Sequence, residues 1–278
     1  MPSFSCATCA AQFPPAEKPP PACPICEDER QYVAQAGHPW TSREELIESG
    51  HKIVFQDVEE GVTALAVEPK LGIGQRAYLL HTEAGTVLWD CVGLLHPDAV
   101  QHIKQQYGGI TAIAISHPHF YCAMADWAEA FDCQVWVHEA DRGFITCPSD
   151  RIQLWSGDEK QLAPGCTLVR LGGHFPGSSV LHWDRCTADG KPIVFAGDTV
   201  MPCMDRKWVT FMYSFPNYVP LPAGEVQRMA AAISRWPFDR LYGPFPGPPV
   251  GPDAAEKVQA SAQRYCGVLE GTSKQTFT

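Results

Sequence analysis

The chain has 278 residues, 45% of them hydrophobic, enough to bury one large core and carry a small appendage. Its 21 Lys and Arg stand against 31 Asp and Glu for a formal charge of −10, with no basic stripe or Arg-rich run to neutralise phosphates, so nucleic acid is not expected as a partner. The longest apolar runs, VTALAV (62–67) and ITAIAI (110–115), fall far short of the roughly 20 residues that span a bilayer, and the start MPSFSCATCA lacks a basic stretch followed by an apolar one; the expectation is a soluble, cytoplasmic protein that does not engage a membrane.

The first 26 residues hold Cys6-x-x-Cys9 and Cys23-x-x-Cys26, separated by the Pro-rich loop AAQFPPAEKPPPA. Each knuckle can point two thiolates at one tetrahedral ion, which predicts a structural zinc ribbon; disulfides or a redox pair are the alternative. The other eight cysteines, at 91, 122, 133, 147, 166, 186, 203 and 266, show no paired spacing and read mostly as reduced, buried side chains. EDERQYVAQAGHPW (27–40) reads as a linker, so residues 1–40 are taken as ribbon and linker and 41–278 as the main domain. TSREEL (41–46) opens that domain as a short capped helix.

Short apolar runs then alternate with amphipathic stretches. Strands are predicted at 53–56, 63–67, 77–81, 86–90, 110–116, 134–138, 168–171, 179–182, 193–196 and 240–242, and helices at 98–107, 123–131, 224–235 and 253–269. Hairpin strands first, then strands alternating with helices, predict a layered α/β protein with its site residues in loops after strand ends.

Of the ten histidines, His38, His51, His81, His96 and His102 are read as ordinary surface or core residues, and His138 and His182, at strand ends, lean the same way. His117 and His119 differ because they close the apolar strand ITAIAIS, where a loop can turn both rings toward one point. His174 lies in LGGHFPGSS, whose glycines let the backbone bend around an aimed ring. Asp198 in IVFAGDT and Asp90 in TVLWDCVG are carboxylates at the mouths of buried strands, and such groups need a cation or a hydrogen-bonded partner.

Together, SHPHFYC, GGHFPGS, FAGDT and LWDCVG resemble the ordered motifs of the metallo-β-lactamase superfamily, which includes glyoxalase II, lactonases and thioesterases, over residues from about 50 to 270. The resemblance implies an αββα sandwich with a metal at one edge, His117, His119 and His174 as ligands of the first metal, Asp198 as the bridging aspartate, and Asp90 as the carboxylate that braces the metal loop. It also exposes departures. Where the family supplies a second metal with an aspartate and a histidine this chain has Tyr121 and Cys122, the late histidine is replaced by Phe245, and no histidine follows His182. A thiolate at Cys122 is the one extra ligand left open.

One catalytic metal is therefore expected besides the ribbon's: zinc, with iron as the alternative. Zinc could keep an open position for water and lower its pKa toward about 7, making metal-bound hydroxide available for hydrolysis of a small lactone, thioester, ester or cyclic amide. The expected catalytic groups are Asp198 and Tyr121, the latter either donating a hydrogen bond to an oxyanion or merely filling space. The aromatic stretch at 206–222 assigns Trp208 and Phe211 to the core and Tyr213, Phe215 and Tyr218 to a substrate wall. A non-haem iron oxygenase and a non-catalytic binding protein are the competing functions, and assembly into homo-oligomers stays open.

Overall fold

A computed structural model describes residues 1–185 and 189–272, so the expectation for Cys186 lies outside the described residues. The N-terminus forms an antiparallel sheet in the order β2-β1-β3 from β1 (Ser3–Cys6), β2 (Gln12–Pro15) and β3 (Trp40–Ser42), with the short helix α1 (Pro24–Glu27) carrying the second Cys knuckle. Because β3 pairs Trp40 with Cys6, residues 27–40 leave the second knuckle and return to the sheet of the first, forming a loop of the ribbon and not a tether. Ser42 then caps α2 (Arg43–Glu48): its side chain accepts from the Glu45 amide at 3.2 Å while the Glu45 carboxylate accepts from the Ser42 amide at 3.0 Å.

The first large sheet has seven strands in the order β10-β9-β8-β7-β6-β5-β4. Strands β4 (Lys52–Glu59), β5 (Val62–Glu68), β6 (Ala77–Thr82) and β7 (Gly85–Trp89) form an antiparallel meander. β8 (Ala112–Ala114), β9 (Gln134–His138) and β10 (Ile152–Trp155) continue it in parallel, reached through α3 (Pro97–Tyr107) and α4 (Met124–Ala130). The second sheet runs β11 (Glu159–Ala163), β12 (Cys166–Arg170), β13 (Ser179–Trp183) and β14 (Ile193–Ala196). After two small hairpins, β15–β16 (Met201–Pro202, Val209–Thr210) and β17–β18 (Met212–Ser214, Val219–Pro220), and helix α5 (Ala223–Ile233), strand β19 (Arg240–Tyr242) joins β14 in parallel, and α6 (Ala254–Leu269) follows.

Side-chain alternation explains why the strands read as unbroken apolar runs. On β6 and β7, Tyr78, Leu80, Val87 and Trp89 face Leu181, Ile193 and Phe195 of the other sheet, while Leu79 and Leu88 face Ile103 and Trp127 on α3 and α4. On β13 and β14, Val180, Val194 and Ala196 turn outward onto Val226, Met229 and Val258 of α5 and α6. Three apolar layers between four layers of structure make the αββα sandwich that the motifs imply. Among the described residues no helix is long and apolar enough to cross a membrane.

Candidate metal centre

The loops that follow β7, β8, β12 and β14 meet at one edge of the sandwich. A 3₁₀ turn, Pro118–Phe120, begins at His117 and brings His117 and His119 round to the same point, while His174 arrives from the β12–β13 loop and Asp198 from the end of β14. Asp198 Oδ2 lies 3.4 Å from His117 Nε2, 3.6 Å from His119 Nδ1 and 3.8 Å from His174 Nε2, and His174 Nε2 lies 3.2 Å from His119 Nδ1. Ligand bonds of about 2.0–2.1 Å give a tetrahedron with edges of about 3.3 Å, so the gap among these atoms is the size of a zinc-class ion. His117 Nε2, whose neighbour is Asp198 Oδ2, and Asp198 Oδ1 are buried with no hydrogen bond made, a need that a cation and the water it brings would meet.

The surrounding bonds set two of the three rings for ligation. His174 Nδ1 faces the carbonyl oxygens of Tyr213 (2.8 Å) and Met212 (3.2 Å), so Nδ1 carries the proton and Nε2 presents its lone pair. Ser116 Oγ donates its single proton to Asp90 Oδ2 at 3.0 Å and therefore accepts from His117 Nδ1 at 2.8 Å, again leaving Nε2 free to bind. The Ser116 amide donates to Asp90 Oδ1 at 2.7 Å, which holds Asp90 in a left-handed conformation at φ 60°. Asp90 thus braces the metal loop through Ser116, a residue that no spacing argument had singled out. Gly197 is required here, because a Cβ would come within 2.5 Å of Ser116 Oγ and 2.9 Å of His117 Nδ1.

Burial lowers the pKa values of His119 and His174, keeping both imidazoles neutral and able to ligate. Burial alone would raise that of Asp198, but the neighbouring His117 and His119 rings outweigh this and hold the carboxyl below the usual range. Burial pushes the pKa of Asp90 up, while the two bonds that Ser116 donates oppose this and favour the ionised carboxylate.

Several expected participants lie elsewhere. Tyr121 is 2% exposed and points into the helix-side core, where its hydroxyl donates to the Asp141 carbonyl at 3.4 Å, so it cannot meet an oxyanion at the centre. Cys122 does not join the cluster: Gln75 Nε2 donates to its sulfur at 2.8 Å, and that sulfur is not among the atoms that converge with those of His117, His119, His174 and Asp198. Of the predicted substrate wall only Phe215 is in place, 5.9 Å from the His174 ring. Tyr218 is 84% exposed, and Tyr213 turns its ring to Arg30 at 4.8 Å and its hydroxyl to Glu29, because the tight β17–β18 hairpin directs both away from the cleft. Phe211 is core, whereas Trp208 is partly exposed under Arg264. His138 and His182 bond the carbonyls of Gly157 (3.0 Å) and Pro237 (2.8 Å), away from the centre.

A cleft of about 160 Å³ opens on the centre. His119, His174 and Asp198 form its floor, and Ile73, Met201, Phe215, Pro216 and Phe245 its apolar walls. Gln31 and Tyr32, from the ribbon loop, complete the rim.

The second cluster is sealed. Cys6 Sγ stands 3.6 Å from Cys26 Sγ and Cys9 Sγ 3.6 Å from Cys23 Sγ, all four buried. Zinc–sulfur bonds of about 2.3 Å imply sulfur separations of about 3.8 Å, whereas a disulfide needs about 2.05 Å. The arrangement therefore fits an ion and not two disulfides. Among the described residues, these are the two groups in which three or more His, Cys, Asp or Glu ligand atoms converge.

The chain is 43% identical over 270 residues, covering 97% of each, to YmaE of Bacillus subtilis (strain 168), an uncharacterized protein. No protein-family model matches it. Among solved structures it is similar to the metallo-β-lactamase FIM-1 from Pseudomonas aeruginosa in its mono-zinc form, with a TM-score of 0.56 and 13% identity over 77% of this chain and 96% of that one. It is similar also to a metallo-β-lactamase from Hirschia baltica (TM-score 0.53, 17% identity, 76% and 97% covered) and to DIM-1 metallo-β-lactamase (TM-score 0.58, 14% identity, 76% and 97% covered).

Proposed function

Starting from a chain that belongs to the family of Bacillus subtilis YmaE and has the metallo-β-lactamase fold, we propose a metal-dependent hydrolase holding one divalent ion at His117, His119, His174 and Asp198 and acting on a small lactone, thioester, ester or cyclic amide. The observation that carries this reading is that three of the four converging residues, His119, His174 and Asp198, form the floor of an open cleft, unlike the sealed sulfurs of the ribbon. An ion bound there would supply Lewis acidity, polarising a carbonyl and lowering the pKa of a water to about 7.

The chain's own groups do the rest. Asp198 engages the three rings through Oδ2, and its free Oδ1 is placed to accept a proton from a water in the cleft. Backbone carbonyls fix His174, and the Asp90–Ser116 pair fixes His117, so neither ring must reorganise during a reaction. The apolar walls keep bulk water from competing with these groups. A cleft of about 160 Å³ is smaller than the roughly 300–1,000 Å³ of sites for drug-sized ligands, which supports a small substrate.

One ion, not two, is favoured by the placement of Tyr121 in the core, the Cys122 sulfur turned to Gln75, and Phe245 as an apolar wall. FIM-1, solved with a single zinc, supports the compatibility of this fold with one ion. Zinc is the proposed ion at both clusters, and the free thiols of the ribbon fit the reducing cytoplasm.

The test is a panel of small lactones, thioesters, cyclic amides and aryl esters presented to the zinc-loaded full chain and to its His174→Ala variant. Hydrolysis by the wild type that the variant loses is expected. Equal turnover by both on every substrate cleaved, or no turnover at all, would remove the hydrolase reading, and metal analysis of protein purified without added metal separates zinc from iron.

A further inference from the structure

We propose that Gln31 and Tyr32, delivered by the ribbon loop, select the substrate, and that the preferred substrate carries a hydroxyl or N–H group that Gln31 binds; this rests on the hydrolase reading above. Gln31 lines the cleft, is 4% exposed, and its Oε1 is buried without a partner. Apart from the residues of the metal centre and the phenol of Tyr32, the remaining walls are apolar, so the Gln31 amide is the polar feature there, and a turn of that amide would present its partnerless Oε1 to a substrate body. A buried acceptor left unmatched disfavours a ligand that covers it and favours one that donates to it, a difference of about 10- to 100-fold in affinity.

The loop is built to hold this position. Asn217 Nδ2 donates to the carbonyls of Glu29 (3.0 Å) and Gln31 (3.1 Å), and the Gln31 amide donates to the Asp28 carbonyl at 2.9 Å. The Arg30 guanidinium lies over the rings of Phe175 at 4.3 Å and Tyr213 at 4.8 Å. Phe175 follows His174 in the chain, and the Tyr213 carbonyl accepts from His174 Nδ1, so the residues that orient a metal ligand also anchor the selecting loop. At its other end the loop begins beside Cys26, which ties it to the ribbon ion. Tyr32, 49% exposed at the rim, offers an aromatic edge that a larger acyl group would cover.

The decisive experiment uses a matched pair of small esters, one with a free hydroxyl and one with that hydroxyl methylated, together with the two product acids. Hydrolysis is read on the zinc-loaded full chain, and binding of the acids by calorimetry. The wild type is expected to prefer the hydroxyl member by about 10- to 100-fold in both kcat/KM and acid affinity. Gln31→Met should level the pair, with the loss on the hydroxyl member appearing mainly in KM. Gln31→Glu, which keeps an acceptor, should retain the preference. Tyr32→Ala should weaken both members alike.

A wild type that treats the two members equally, or binds neither acid, overturns the assignment, as does Gln31→Met with the preference intact. If no ester is cleaved by any variant, the hydrolase reading fails by itself, and the calorimetric comparison of the two acids still decides for or against Gln31.

Discussion

The two clusters of this molecule contain four buried ligands each, yet they are made in opposite ways. The ribbon's cysteines come from 21 consecutive residues, 6–26, and the small apolar cluster around them adds little beyond Ala11, Ile25 and the flanking Phe13 and Trp40. A module of this kind would depend on a bound ion for folding. The central cluster draws on residues from 117 to 198, and its atoms meet because two large sheets and four helices have already placed four loops at one edge. There the fold makes the site, whereas the ribbon, with so small a core, would lean on an ion for its fold.

The strongest way to break this comparison is a pair of variants. His174→Ala should remove the central ion and lower turnover by well over the 10- to 100-fold typical of residues that merely brace a ligand, while the ribbon ion and the thermal transition of the sandwich stay near wild type. Cys26→Ser should do the reverse: one ion is lost, protease sensitivity rises within the first 40 residues, and the central ion remains. Elemental analysis should give two ions per wild-type chain and one for each variant. Loss of both ions from either variant would show that the clusters are not separate, and three ions in the wild type would sink the single-ion centre.

How much was legible beforehand follows the same divide. The ribbon could be read from spacing because its ligands are neighbours in sequence. The central ligands could be read because each closes an apolar strand, and the buried strands themselves were plain: 134–138, 193–196 and 240–242 coincide with β9, β14 and β19. Of the four edge strands of the large sheets, β10 (IQLW) and β11 (EKQLA) were missed, since most of their positions are partly or fully exposed, which weakens the apolar signal. Ser116 was missed because its role is a hydrogen bond between two distant loops. Gln31 was missed because a loop that closes back on its own sheet looks, in sequence, like a polar linker.

Bracing contacts sharpen the comparison further, for they exist only where the fold makes the site. Ser116→Ala removes the link between Asp90 and His117, and should weaken the central ion by about 10- to 100-fold while leaving the ribbon ion unchanged, as read by chelator competition.

Asp141 braces the His174 loop from below, its Oδ1 accepting from the Gly177 amide at 2.9 Å. Burial raises its pKa to about 6, partly opposed by that bond and by Arg30 and Arg170. Because the folded value lies above the unfolded one, its contribution to stability is complete below about pH 4 and is lost as pH rises through about 6. Relative to Asp141→Asn, which cannot titrate, the wild type should therefore lose up to about 3 kcal/mol between pH 4 and 7, measured by denaturant unfolding of the main transition. A difference that did not change with pH would mean that the buried carboxyl titrates normally.

The smallest expected effect tests the residue at which sequence and structure part most clearly. Tyr121 stands where the superfamily motif has an aspartate, yet the 3₁₀ turn that delivers His119 continues through it and sends its ring into the core beside α4. Its hydroxyl makes one long bond, 3.4 Å, to the Asp141 carbonyl, near the limit at which such a contact counts. Tyr121→Phe keeps the ring and deletes that bond, so stability should change by less than about 1 kcal/mol and kcat/KM by less than about twofold. Tyr121→Ala would instead leave a cavity, and should cost about 3–5 kcal/mol in stability without a selective loss of turnover in the protein that remains folded. A drop of a hundredfold in kcat for the phenylalanine variant, with its fold intact, would return the hydroxyl to the chemistry and require the turn after His119 to open during turnover.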